Sequence, residues 1–432
     1  MLRTIFVISL IIIGLVASFY SSFNALLFYL WIAYFRPESW VWGSYSVLYN
    51  LSFFTAIFLL LSTLLTGVKL RFNFFTSMLS LILLHSFLSA LMSDYSSVSF
   101  SYWIDFFKVI VISYLITILI NSEIHLRIAL VVISLSLGLE GAKQGLAHII
   151  LNPGAVNTNT HPFLGDNNGT AVGMLMLAPV LFALFQTTKQ KLFKYGFLFL
   201  TIGVVYRALS TYSRGGFLVF LIMCVIFWLR SKHKIRAILI VVFLTALLLP
   251  TFPQSFWDRM DSITATSDER DASAASRIYY WELGIEMAKH HPVFGVGHRA
   301  YSEAYNNFDH TQGRFGSKRE VHSSWFGILS EWGFPGIILF LMIYFYSIYS
   351  CIQSRNNCKN NPELRILETY CTSIETSLIA GIGGITFLSY QYSEILWHYF
   401  ALAVVCKQIV QLHNNSEKEQ LQNHRNIIEK YL

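Results

Sequence analysis

The sequence predicts an all-α polytopic membrane protein, and three observations carry that expectation. Of 432 residues, 54% are hydrophobic and only 13% charged, against about 25% charged in soluble proteins. Apolar runs of about 20 residues, long enough to cross a bilayer core, recur along the chain. Runs such as Ala237 to Leu249 do not alternate, whereas a membrane barrel would show alternating segments of about ten residues. One long polar stretch, residues 252–323, interrupts this pattern.

The elements follow in order. Met1-Leu2-Arg3 leads an apolar run to Ala17, read as a retained first span that itself targets the chain, with a cleaved signal peptide as the other reading. Candidate spans lie near 4–20, 22–36, 47–67, 73–92, 100–120, 127–150, 169–187, 193–209, 215–230, 235–251, 324–351, 374–391 and 393–413. The first two are nearly continuous, so two spans or one broken span both fit. Alternate loops are basic: Lys69 and Arg71; Arg127; Lys189, Lys191 and Lys194; Arg230, Lys232, Lys234 and Arg236; Arg355, Lys359 and Arg365. Basic loops stay cytoplasmic, which places the 252–323 insert, the Gly165–Asn168 loop and Arg214 on the outer face. An even count of about twelve spans puts both termini inside.

The chain therefore divides into N-terminal transmembrane helices (1–251), a helical outer loop (252–323), C-terminal transmembrane helices (324–413) and a cytoplasmic tail (414–432). The tail, rich in Asn, Glu, Gln and Lys, reads as a short helix or a disordered end. The net charge of +7 sits largely in inter-helix loops, which argues against nucleic acid. Cys351, Cys358 and Cys371 surround a loop predicted cytoplasmic, where disulfides rarely persist. No Cys/His spacing resembles a zinc site, and no inverted pair of interrupted helices suggests a transporter.

Within the insert, Ser276 to His290 has helical spacing. Ile278, Trp281, Ile285 and Ala288 form its apolar stripe, with Leu283 and Met287 on the opposite face. His291-Pro292 ends it, because the residue before proline avoids the helical region. Ser267 to Asp271 reads as a mobile linker, and the whole insert as a helical cap on the membrane surface.

Several residues suit chemistry on an anionic substrate. Arg214 opens an apolar span and is followed by Gly215 and Gly216. A helix N-terminus with an arginine is an anion site, although an arginine snorkelling to lipid headgroups is the bland alternative. Arg277 offers a planar fork for phosphate oxygens, or is a solvated surface arginine. His322, where the chain re-enters the membrane, could take a proton from a sugar hydroxyl, although thirteen histidines make one at an interface weak evidence. Lys143 forms an i, i+3 pair with Glu140 inside an apolar run, either functional or mutually neutralised. Asp166 and Asn167, with Asn168, are sugar-binding or turn residues. Glu331 either orients a partner or pairs with a neighbour on its helix. Arg299 completes the candidate substrate-binding set of Lys143, Asp166, Asn167 and Glu331.

Taken together, these pieces resemble the O-antigen ligase superfamily of bacterial membrane glycosyltransferases. The matching stretches are Ser213-Arg214-Gly215-Gly216, then Ser276-Arg277, then His291-Pro292-Val293-Phe294-Gly295-Val296-Gly297. His322-Ser323-Ser324-Trp325 and Glu331-Trp332-Gly333-Phe334-Pro335-Gly336 follow. The Phe163–Asn168 loop is similar to the branch described as O-glycosylation ligases. The resemblance implies a GT-C-like, metal-independent, cofactor-free inverting transferase of the bacterial inner membrane, with its active site facing the periplasm. It would move a glycan from an undecaprenyl-diphosphate donor to a lipid A-core, other lipid-linked or protein acceptor. On that resemblance Arg214 and Arg277 bind the diphosphate and His322 activates the acceptor hydroxyl. The family often has asparagine after this histidine, where Ser323 stands here. A polysaccharide polymerase and a protein O-glycosyltransferase differ only in acceptor. A lipid-linked sugar flippase would need a polar central pathway, for which only Glu140, Lys143 and a few edge charges are available.

Overall fold

The computed structural model describes residues 2–40, 50–67, 72–231, 233–236, 239, 257, 272–359 and 361–431. Among these the chain is all-α. Seven helices are long and apolar enough to cross a membrane, and three shorter apolar helices accompany them. The protein is a multi-pass membrane protein. Its outward side chains agree with lipid contact: Leu65, Leu192, Phe199 and Val225 are among many large apolar residues left exposed. The predicted span at 235–251, the basic residues Lys69, Arg71 and Lys232, and the Ser267–Asp271 linker lie outside the described residues.

The helices are α1 (Leu2–Ser18), α2 (Ser22–Phe35), α3 (Leu51–Leu65), α4 (Phe74–Leu91), α5 (Ser96–Leu119), α6 (Glu123–Leu151), α7 (Asn167–Thr187), α8 (Lys191–Leu209) and α9 (Arg214–Arg230). The insert contributes α10 (Ala272–His290) and α11 (Tyr301–Phe308). After them come α12 (Ser324–Cys358), α13 (Arg365–Thr386) and α14 (Glu394–Tyr431). The apolar run at the start is two helices, α1 and α2, separated at Phe19–Ser21; Ser21 caps α2 by accepting from Asn24 N. α13 begins well before the predicted 374, because its first turns carry Glu368 and Thr372, which an apolar window passes over. α14 runs through the polar tail as one helix to Tyr431.

α7 is the axis of the bundle, packed against α6, α8, α9 and α13. Pro179 lies within it, and a proline cannot donate to the helix ladder. Nearby, the Met176 carbonyl accepts from Ser377 Oγ (2.6 Å) and Tyr399 OH (3.2 Å), joining α7 to α13 and α14 by hydrogen bonds between helices. At the opposite end of the bundle from the insert, Glu375 of α13 holds Arg230 (2.5 Å) and Arg355 (2.9 Å).

The insert has its own small core: Tyr280, Leu283 and Met287 of α10 pack with Val296, Tyr301, Tyr305 and Val321. Both faces of α10 are therefore covered: Ala288 of the predicted stripe is fully buried, and the opposite face is buried as well. Leu283 and Met287 are buried, whereas Ile278 is 41% exposed. Aromatic partners explain the second buried face, since Tyr280 meets Tyr305 edge-on and Tyr301 OH donates to the Tyr280 carbonyl (2.7 Å). Trp281, from the predicted stripe, stacks on Phe326 of α12.

A break in α12 ties this cap to the membrane helices. Gly333 has φ 67° and ψ −168°, a backbone state open to glycine, and Pro335 has no N–H to return to the helix. The carbonyls before the break take partners from elsewhere. Ser330 O accepts from Val296 N (2.9 Å) and Glu331 O from Gly297 N (3.3 Å). Glu331 O also accepts from Ser89 Oγ (2.7 Å), and Trp332 O from His85 Nε2 (2.7 Å). Phe334 N donates to the Pro292 carbonyl (2.9 Å). The stretches 291–297 and 331–336 are thus two halves of one backbone clasp.

Candidate active site

Two helix N-termini and the insert meet at the end of the bundle. Ser213 caps α9 by accepting from Gly216 N (3.2 Å), which leaves Arg214 as the first helical residue. Asp166 caps α7 by accepting from Gly169 N (2.7 Å), which puts Asn167 and Asn168 in its first turn. The connections before these helices are clipped together. Asn157 N donates to Ser210 O (2.7 Å), and Tyr212 OH to Gly154 O (2.5 Å). Fully buried Arg207 donates through Nε to Gln144 Oε1 (2.9 Å) and through Nη2 to the Asn159 carbonyl.

Between them lies a cavity of about 320 Å³ lined by Asn167, Asn168, Tyr212, Arg214, Gly215 and Arg277 among others. N-terminal amides of two helices and two guanidinium groups favour negative charge there. Asn167 Oδ1 is buried with no protein partner. A second cavity, of about 420 Å³, is lined by Arg277, Tyr280, Arg314, Arg319 and His322 among others. Arg277 lines both, so the two spaces adjoin at its side chain.

His322 stands just before α12 with φ 50°, an uncommon state for a residue bearing Cβ and one that clusters at functional sites. Its ring lies 6.3 Å from that of Tyr280, centroid to centroid. Burial lowers its pKa below the ordinary 6.5, Arg277 and Arg319 push it the same way, and Asp166 opposes them. The imidazole is therefore neutral at neutral pH, the form that accepts a proton. Ser323 Oγ, next in sequence, is buried without a partner. Ser324 Oγ donates to Leu388 O (2.7 Å) and accepts from Tyr390 N (2.8 Å), anchoring the start of α12. His298 contrasts with His322. Burial, with Arg299 adding to it, drives its pKa down to about 3, and it accepts from Trp332 Nε1 (3.1 Å) as a packed ring.

The structure thus brings together Arg214, Arg277 and Asn167, with His322 adjoining through Arg277 and Asp166 close enough to act on its charge. It places the other three candidates elsewhere. Lys143 pairs with Glu140 (3.4 Å), is 67% exposed, and lies over the Trp40 ring. Glu331 is buried, accepting from Tyr392 OH (2.6 Å), Gln391 Nε2 (3.4 Å) and Tyr301 N (3.4 Å), which pins the insert to the α13–α14 turn. Arg299 lines a different cavity. Tyr212, Arg314 and Arg319 were not singled out from sequence. Tyr212 carries a signal only in its strained backbone, φ 53°, and the two arginines lie in a loop without periodicity.

Residues 196–341, roughly a third of the chain, match the family model Wzy_C, the O-antigen ligases. The matched span contains Arg214, Arg277, His322 and both halves of the clasp. No curated protein matches the chain.

Proposed function

We propose, from the match of residues 196–341 to the O-antigen ligases, that this chain transfers a glycan from an undecaprenyl-diphosphate donor to an acceptor hydroxyl on the periplasmic face of the bacterial inner membrane. The supporting observation is the shared position of Arg277, which lines the Arg214 cavity on one side and the His322 cavity on the other. The first suits the diphosphate of the donor, with two guanidinium groups and the amide ends of α7 and α9 facing its oxygens. The second suits the acceptor.

In the proposed reaction His322 takes the proton of the acceptor hydroxyl and the oxygen attacks the anomeric carbon. The bond from that carbon to the diphosphate breaks, and undecaprenyl diphosphate leaves with the electron pair. Attack from the side opposite the leaving group inverts the anomeric centre. Negative charge grows on the diphosphate as the bond breaks, and Arg214 and Arg277 are placed to stabilise it. In this reading the two guanidinium groups do the work that a metal ion does in other transferases.

The test is expression in ligase-deficient and in polymerase-deficient cells, reading lipopolysaccharide ladders. Rescue of the first strain, lost in Arg214→Ala and Arg277→Ala at normal membrane levels, is the expected result. Rescue of the second strain alone would assign a polymerase, and loss of activity on chelation would overturn the metal-free reaction.

A further inference from the structure

A third cavity, of about 240 Å³, shares no lining residue with the two described above. It is formed where α2 ends, α3 and α14 begin, the 291–300 segment crosses and α5 descends. Its chemistry is of another kind. Three cations line it, Arg36, Lys108 and Arg299, and two carboxylates, Asp105 and Glu394. These are largely matched within the protein: Arg36 to Glu394 (3.6 Å) and to Glu38 (3.8 Å), and Lys108 to Asp105 (2.6 Å). Arg299 lies 4.3 Å from the centre of the Tyr102 ring. Tyr29 and Tyr392 add hydroxyls and aromatic surface.

A phosphate would meet carboxylates here and a lone cation would meet arginines. A neutral polyhydroxylated ring would meet donors, acceptors and aromatic faces together, which is how sugars are held. The volume, just below the usual range of about 300–1,000 Å³ for ligand pockets, suits a single ring. A further observation points to a site rather than a packing defect. Arg36 and Arg299 both have positive φ, 52° and 55°, strain of the kind kept at ligand clamps. Arg36 also sits over the Phe163 ring (5.9 Å), and Phe163 belongs to the loop that delivers Asn167 to the diphosphate cavity.

We infer that this cavity is a carbohydrate subsite holding a neutral sugar unit of the transferred glycan, apart from the reacting bond. The inference rests on the proposed transferase activity, and its test separates the two. Lipid-linked donor extracted from the host's own membranes is used intact and after exoglycosidase trimming to the sugar next to the diphosphate. With Tyr102→Ala and Asp105→Asn, both at exposed positions, KM for intact donor should rise about tenfold, as for a lost aromatic or hydrogen-bonding contact. KM for trimmed donor and kcat should hold, and Tyr102→Trp should restore the intact-donor value. An unchanged KM for intact donor, or an equal rise with trimmed donor, overturns the subsite. So does a zwitterionic phospholipid that copurifies with the wild type and is lost in the variants, which assigns the cavity to a headgroup.

Binding is read independently of transfer. The glycan released from the donor should show saturation-transfer contacts with the protein in nanodiscs that Tyr102→Ala abolishes. Binding without transfer would sink the transferase reading and leave the subsite standing. Transfer without such binding would do the reverse.

Discussion

His322 is held in a left-handed backbone state beside two arginines, and its chemistry follows from that company. A base must be unprotonated to act. Its pKa is lowered, so the acid limb of kcat/KM should lie below pH 6.5, with activity retained as pH falls through the range where a free histidine titrates. Arg319→Gln removes one cation and should move that limb upward; a limb that stays put would mean another group carries the proton. His322→Ala should lower kcat by about 10²–10⁴-fold, the range for general base catalysis, and full activity in that variant would exclude it as the base. Arg277→Lys keeps charge and loses the fork, so about 10²-fold or more of the rate should be lost if bidentate contact matters. Arg214 and His322 were legible as candidates because each stands where polarity changes abruptly, and Arg277 only through the resemblance of Ser276-Arg277 to a family motif. Arg36, Asp105, Lys108, Arg299 and Glu394 were not legible as a group, because four separate segments bring them together and no spacing between those segments records it.

At the scale of elements, the clasp at Gly333 makes its own prediction. A Cβ at Gly333 would run into the Pro292 carbonyl, and φ 67° is unfavourable to any other side chain. Gly333→Ala should destabilise the cap by about 1–3 kcal/mol, seen as faster proteolysis within the insert while the bundle still melts normally. Equal protease resistance would mean that the clasp does not hold the cap. Helix positions were readable almost throughout, since apolar runs of span length leave few alternatives. The packing of α10 was readable only in part. The apolar stripe accounts for Trp281 and Ala288, which pack inward, but not for the second buried face, where tyrosines meet one another and reach backbone carbonyls. The role of Gly295-Val296-Gly297 was hidden for a related reason: it is fulfilled by hydrogen bonds to a helix break more than thirty residues away.

At the scale of the whole molecule, alternation of basic loops and the position of the cap set the expected orientation. The described ends bearing Lys189, Lys191, Arg355 and Arg365 lie opposite the end where Arg214, Arg277 and His322 gather. Single cysteines introduced beside Gln190 and beside Asn168, in a background lacking the five native thiols, should therefore differ in labelling by an impermeant maleimide on intact spheroplasts. Only the second is expected to react, and the opposite pattern would invert the topology and remove the periplasmic active site. The cap is fastened in two ways. Its 291–301 side is bolted to backbone carbonyls of a transmembrane helix. The 309–320 arm is held to α10 and α11 through side chains: Tyr279 OH donates to Asp309 Oδ1 (2.6 Å), Ser302 Oγ to the Lys318 carbonyl (2.8 Å), and Phe315 packs on Tyr279. Lys318 also pairs with Glu303 (2.6 Å) and His310 with Glu286 (2.9 Å). That arm carries Arg314 and Arg319 over His322. The molecule thus has one jamb set in backbone and another seated by side chains, and an acceptor bound in the proposed site would sit in the opening that Arg277, Arg314 and Arg319 frame over His322.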